Sequence, residues 1–215
     1  MGPALARVAP FAVFIAFLAL QPVVDGVVDP RWWVAWRGIA AALVLLLFAR
    51  SYTELALPPA LRECFIAIAV GWIVFAAWIA FDSGWATIGS VPSGFDPRRP
   101  DGSIDTALVA ARVFGLALAV PVMEELFWRS FLMRWIDRRD FLAKDPRAAS
   151  MLAFGLSCAL FASEHSMWFA GLIAGAAYAG LYMRTRNLWI PILSHATTNG
   201  TLATWILATG NWHLW

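Results

Sequence analysis

Glu124, Glu125 and Arg129 fall within PVMEELFWRSFLMR, Pro121 to Arg134, inside a long apolar run. Ionisable groups in hydrocarbon cost about 2.5–3.5 kcal/mol each on insertion scales, so they face a protein interior or a wet cavity and mark function. Successive helical residues point about 100° apart, whereas side chains four apart meet on one face. Glu125 is therefore expected to pair with Arg129, which leaves Glu124 free for chemistry. Three more polar positions interrupt apolar runs. His165 closes FASEH four residues after Phe161, and His195 and Asn199 bracket HATTN on one helical face. A carboxylate, two imidazoles and a carboxamide are the groups peptide hydrolysis needs: a base to activate water and donors for an oxyanion. In that reading Glu124 activates water, His165 holds or orients it, and His195 and Asn199 donate to the oxyanion.

Each feature has a plainer reading. An intramembrane histidine is often a hydrogen-bonded packing group, and an asparagine in a span is often interhelical glue. Glu-Glu-x-x-x-Arg can be a structural ion pair. A Glu and two His can also hold zinc with water in the open position. No HExxH is present, however, and each ligand would come from a different helix. A proton-relaying transporter would be expected to show internal repeats, and none is found. It is the joint occurrence of the groups on three helices that favours hydrolysis.

These residues must be carried by membrane-spanning helices. Of 215 residues, 61% are hydrophobic and 14% charged, with 13 Trp and 15 Phe, which excludes an ordinary soluble domain. The alternating segments of a β-barrel are absent. The expected class is all-α, a polytopic transmembrane helical bundle of about 7–8 spans with a catalytic cavity inside the bilayer. Spans are predicted near Val8–Gln21, Val34–Ala49, Cys64–Phe81, from Thr106 through the glutamates, Ala148–His165, after Trp168 to Arg184, and Leu188–Thr209. The first is read as an uncleaved helix. Asp25 and Asp29 lie in the first connection, and the longest polar loop runs from Asp82 to Asp105. Pro121 and Pro191 are expected to distort their helices. Gly171 and Gly175 form a GxxxG, continued by Ala179 and Gly180, suited to close helix contact. Cys64 and Cys158 read as packing groups, Arg112 as snorkelling or pairing with a loop Asp, and Glu164 as facing the interface.

Seven spans gather most Lys and Arg on the side of the N-terminus, from Arg7 and Arg50 to Arg184 and Arg186. That excess predicts a cytoplasmic N-terminus. Straight helices would place His195 and His165 at different depths, so the spans must be unequal or bent around a water-filled cavity.

EELFWR, FASEH and HATTN match, in order, the Glu-Glu-x-x-x-Arg, Phe-x-x-x-His and His-x-x-x-Asn motifs of the CPBP intramembrane proteases (CAAX prenyl endopeptidases and bacteriocin-processing, or Abi, proteins). The chain resembles this family over Thr106 to Gly210. The resemblance implies a single integral membrane domain over 1–215, with N-terminal spans and a polar loop in 1–105 and a catalytic core in 106–210. It implies an intramembrane endopeptidase with Glu124, His165, His195 and Asn199 as catalytic residues, Glu125 and Arg129 as supporting groups, and no metal; a zinc-dependent version is the alternative. The implied partners are the lipid bilayer and a membrane-anchored protein or peptide substrate, with no nucleic acid. PVMEELFWRSFLMRWI and the GNWHLW ending look most like a bacterial branch accompanying exosortase sorting systems, which would place the chain in a bacterial inner membrane. Because relatives occur in bacteriocin self-immunity, a non-catalytic immunity or interaction protein is the alternative outside enzymes.

Overall fold

A computed structural model describes residues 2–24, 26–89 and 95–215. Asp25 and positions 90–94 of the predicted polar loop lie outside the described residues. The described chain is a bundle of seven helices: α1 (Pro3–Val24), α2 (Pro30–Leu47), α3 (Leu61–Ala80), α4 (Thr106–Asp137), α5 (Met151–Ser163), α6 (Trp168–Thr185) and α7 (Trp189–Thr209). Four of them, α1 to α4, are long and apolar enough to cross a membrane, and α5 is a shorter apolar helix. Many large apolar side chains on these helices remain exposed, among them Leu46, Leu47, Phe65, Trp72 and Ile73. A helical membrane bundle explains both features, because lipid covers the outer faces and the backbone polar groups are satisfied within each helix.

The helix boundaries follow local chemistry. Asp29 accepts the Arg31 N–H at 2.9 Å and Pro30 opens α2, where a missing N–H is tolerated. Asp105 accepts from the Leu108 N–H at 3.1 Å to begin α4, and Ser150 accepts from the Ala153 N–H at 3.1 Å to begin α5. Gly210 closes α7 with φ +72°, a left-handed conformation for which glycine carries no Cβ penalty. Pro191 lies in the first turn of α7, where no intrahelical N–H is needed, so the distortion expected of it does not arise.

α4 runs through the middle of the bundle, against α1, α2, α5, α6 and α7. Met123, Leu126 and Met133 are fully buried. The helix does not break at Pro121. Instead it widens into π-helical turns at Gly115–Ala119 and Glu125–Leu132, on either side of Val120–Glu124. Such turns absorb the proline and occur often at functional sites.

Two glycine contacts fix the remaining helices on this centre. A Cβ on Gly38 of α2 would lie 2.7 Å from the Cα of Gly115, so the backbones of α2 and α4 touch. One on Gly71 of α3 would lie 2.6 Å from the carbonyl oxygen of Ser194, the residue before His195 in α7. The GxxxG of α6 packs on α5, where Gly171 meets Ala162 and Gly175 meets Cys158, but Gly180 faces open space and is not part of that contact.

Candidate active site

Glu124 sits where α4 leaves its short α-helical segment for the second π-turn, and its side chain is 7% exposed. Its Oε2 is buried without a hydrogen-bond partner among the described residues. Glu125 is fully buried and points elsewhere. One of its oxygens lies 3.2 Å from Arg129 Nε, the pairing expected from the spacing, and the other accepts from His195 Nδ1 at 3.0 Å. The second contact, between residues 70 apart, is not visible in the sequence. Arg129 is held in turn over the Phe161 ring, 4.2 Å from its centroid.

His165 follows the end of α5 and folds back over it. Its Nδ1 is 2.9 Å from the carbonyl oxygen of Phe161, a carbonyl in the last turn of the helix whose backbone donor is the Glu164 N–H at 3.4 Å. A carbonyl can only accept, so Nδ1 carries the proton and Nε2 is left as an acceptor. Its ring centroid lies 4.9 Å from that of Phe161, and Trp78 of α3 meets it edge-on at 5.3 Å.

His195 and Asn199 come from α7, which α3 and α6 hold in place. Tyr178 stacks on His195 with centroids 4.8 Å apart and donates its hydroxyl to Thr198 at 2.8 Å. Thr198 donates to the Gly71 carbonyl at 2.9 Å. Asn199 Nδ2 donates to the carbonyl oxygen of Leu116 in α4 at 2.9 Å. The reverse orientation would set oxygen against oxygen, so this contact fixes the amide.

Glu124, His165, His195 and Asn199 all line one cavity of about 310 Å³. The depth difference between the histidines is bridged by unequal helices. α5 has only 13 residues, about 20 Å at 1.5 Å each, and the His165 side chain turns back along it. Two residues lie elsewhere than expected, and a third was not singled out. Glu164 lines the cavity rather than facing the interface, and Arg112 lines it with no acidic partner among the described residues. Tyr178 appeared only as part of a small-residue helix. Its role depends on a contact with a residue 17 positions further on, in the next helix, for which no local signal exists.

Among the described residues, no group of three or more His, Cys, Asp or Glu side chains that could hold a metal ion is found. Both cysteines are free.

A helical membrane bundle with a carboxylate, two imidazoles and a carboxamide around one interior cavity has the make-up of an intramembrane hydrolase. Residues 106–201, a little under half of the chain, match the family model described as Rce1-like, Type II CAAX prenyl endopeptidase Rce1-like. Over that segment the chain is similar to the CPBP/CAAX proteases, and the similarity supports a CAAX-type intramembrane protease in general. Comparisons with curated proteins and with solved structures gave no match.

Proposed function

We propose that the protein hydrolyses a peptide bond of a membrane-anchored protein or peptide by a glutamate-activated water, without a metal. The observation that carries this is the shared cavity of Glu124, His165, His195 and Asn199, in which one carboxylate oxygen is unpartnered and one imidazole nitrogen is set as an acceptor. Water held between Glu124 and His165 Nε2 attacks the scissile carbonyl and gives its proton to Glu124. The developing oxyanion accepts from the second hydrogen of Asn199 Nδ2 and from His195 Nε2. For Nε2 to donate, the His195 ring must carry a proton on both nitrogens, because Nδ1 already donates to Glu125. The Glu125 carboxylate and the face of Tyr178 offset part of the cost of burying that charge. Collapse breaks the C–N bond, and Glu124 passes its proton to the leaving amine.

The surrounding groups act by position. Glu125 orients His195, Arg129 balances Glu125, and Tyr178 fixes the plane of the imidazole. The proposed setting is a bacterial inner membrane with a cytoplasmic N-terminus, supported by the Lys and Arg excess around Arg50, Arg138, Arg139 and Lys144 on that side. The wording around the motifs supports a role beside an exosortase sorting system.

The test is cleavage of a membrane-anchored peptide library by purified wild type, Glu124→Ala and Glu124→Gln, with and without chelator. Cleavage lost in both variants and untouched by chelation is expected. Loss on chelation, restored by added zinc, would replace the proposal with a metalloprotease. A Glu124→Ala protein that still complements in cells would favour the binding role.

A further inference from the structure

The catalytic cavity has a charged wall that peptide hydrolysis as described does not use. Arg37 of α2 and Arg112 of α4 line it, and both also line an adjoining chamber of about 280 Å³ that runs past His165 to Trp215. The Gly38–Gly115 contact explains the pairing, since Arg37 precedes Gly38 and Arg112 lies one turn before Gly115. Counted from Pro30 and Thr106, each arginine is six or seven residues into its helix, about 10 Å along the axis.

A guanidinium at that depth normally carries a counter-charge. Among the described residues neither arginine has one, and the Nε of each is buried without a hydrogen-bond partner. Their neighbours are aromatic faces instead: Arg37 lies over Phe14 at 4.9 Å and Arg112 over Phe95 at 5.6 Å. These contacts orient the guanidinium planes but use no N–H. Trp215 Nε1, another buried donor without a partner, lines the same two chambers. Glu164 also lines both but is not within ion-pair distance of either arginine. Two fixed forks of donors with nothing to donate to match the geometry of a carboxylate.

We infer that Arg37 and Arg112 form an anion subsite of the catalytic cavity that takes a carboxylate of the peptide substrate, its free C-terminus or an Asp or Glu side chain. The ligand's identity rests on the peptide-hydrolase reading, because a peptide chain brings carboxylates into this cavity. A lipid phosphate stays at headgroup level, whereas the arginines are set inside the bundle on the wall shared with Glu124.

The test reads binding without turnover. Glu124→Gln protein in phosphatidylethanolamine proteoliposomes is titrated with palmitoylated peptide pools in three forms: acidic with a free C-terminus, the same with a C-terminal amide, and a neutral one that has the C-terminal amide and lacks Asp and Glu. Removing the responsible carboxylate is expected to weaken binding about 10- to 100-fold, as for a lost charge-assisted hydrogen bond, and the form that responds identifies its source. Arg37→Gln and Arg112→Gln should erase the preference while leaving the neutral pool unchanged, and Arg37→Lys should keep part of it. Melting temperatures identify variants that fail to fold; for those the Lys variants carry the test. Equal binding of all three pools overturns the subsite, as does a preference that survives both Gln substitutions in folded protein. Phosphatidylglycerol binding that depends on Arg37 while peptide binding does not would make it a lipid site instead. Arginines that serve only to balance Glu124 and Glu164 would alter the pH profile of wild-type cleavage on substitution and leave pool preference intact, which also overturns it. Cleavage by wild type without pool preference sinks the subsite alone, whereas pool preference without cleavage sinks only the hydrolase reading.

Discussion

Asn199 Nδ2 donates to the carbonyl oxygen of Leu116 at 2.9 Å, and Pro121 is the reason that carbonyl is free. In the π-turn before the proline, the Val120 N–H bonds to Gly115 rather than Leu116. The next donor in that register would be residue 121, which has none. Pro121 therefore exposes an acceptor in the middle of a helix, and α7 supplies its donor. Asn199→Asp puts a carboxylate against that carbonyl and removes the N–H proposed for the oxyanion. Cleavage should fall about 10²- to 10³-fold, the usual loss for one such donor. Pro121→Ala supplies the missing N–H, competes with Asn199 for Leu116, and should lower kcat while the bundle stays folded. A kcat unchanged in both variants would separate Asn199 from the chemistry.

Glu124 offers a contrast between stability and activity. Its Oε2 is buried and unpartnered, an arrangement that costs the fold. Glu124→Gln removes a buried charge and should leave the melting temperature equal or higher, while cleavage falls below detection. Thermal melts and turnover on one preparation check both. A variant that loses activity together with stability would make Glu124 a structural residue.

The spans and the polar residues were legible because both depend on local pattern. Apolar runs give the helices, and four-residue spacing gave the Glu125–Arg129 pair. Contacts across helices were not legible. Glu125 reaches His195, Tyr178 stacks on His195, and Glu54 collects Arg7 and Arg134 over 47 and 80 positions. Nothing in the local sequence around Glu54 marks it as more than part of a polar connection. The prolines divide. Pro191 lies in a first turn and leaves α7 undistorted, whereas Pro121 does distort α4, into π-turns rather than a break, and the cavity depends also on the short α5.

Glu125 answers to Arg129 and His195 at once, and all three are buried. Glu125→Gln leaves Arg129 without its counter-charge. Removing one partner of a buried pair costs about 3–5 kcal/mol, so this variant should melt well below wild type, unlike Glu124→Gln. Arg129→Lys keeps the charge but not the guanidinium plane over Phe161, and an intermediate loss is expected. Unfolding midpoints in the order wild type, Arg129→Lys, Glu125→Gln check it.

The acid limb of stability should belong partly to Glu54, in the connection between α2 and α3. Burial pushes its carboxyl up, but the hydrogen bonds and charge of Arg7 and the Ser130 hydroxyl outweigh it, so it titrates below its ordinary value of 4.5. A group with a depressed folded pKa contributes stability above its unfolded pKa and loses it as the pH falls through the folded one. The wild-type melting temperature should therefore drop below about pH 4.5. Glu54→Gln should flatten that limb and cost several kcal/mol at neutral pH, because Arg7 and Arg134 stay buried without their carboxylate. Melts from pH 3 to pH 7 on both proteins give the comparison.

Helix contacts at single glycines should be as sensitive as the polar network. Adding a Cβ at Gly71 meets the Ser194 carbonyl at 2.6 Å, and one at Gly38 meets Gly115 at 2.7 Å, so backbone must move in each case. Overpacking of this kind costs about 1–3 kcal/mol. Gly71→Ala pushes on the turn that carries His195 and should lower kcat more than it raises KM. Gly38→Ala separates α2 from α4 near Arg37 and Arg112 and should act mainly on KM. Gly180→Ala is the control, since its Cβ would meet nothing within 4 Å and alanine is the better helix former. It should be neutral or slightly stabilising. If Gly71→Ala melts and turns over like Gly180→Ala, α3 is not what holds His195 in place.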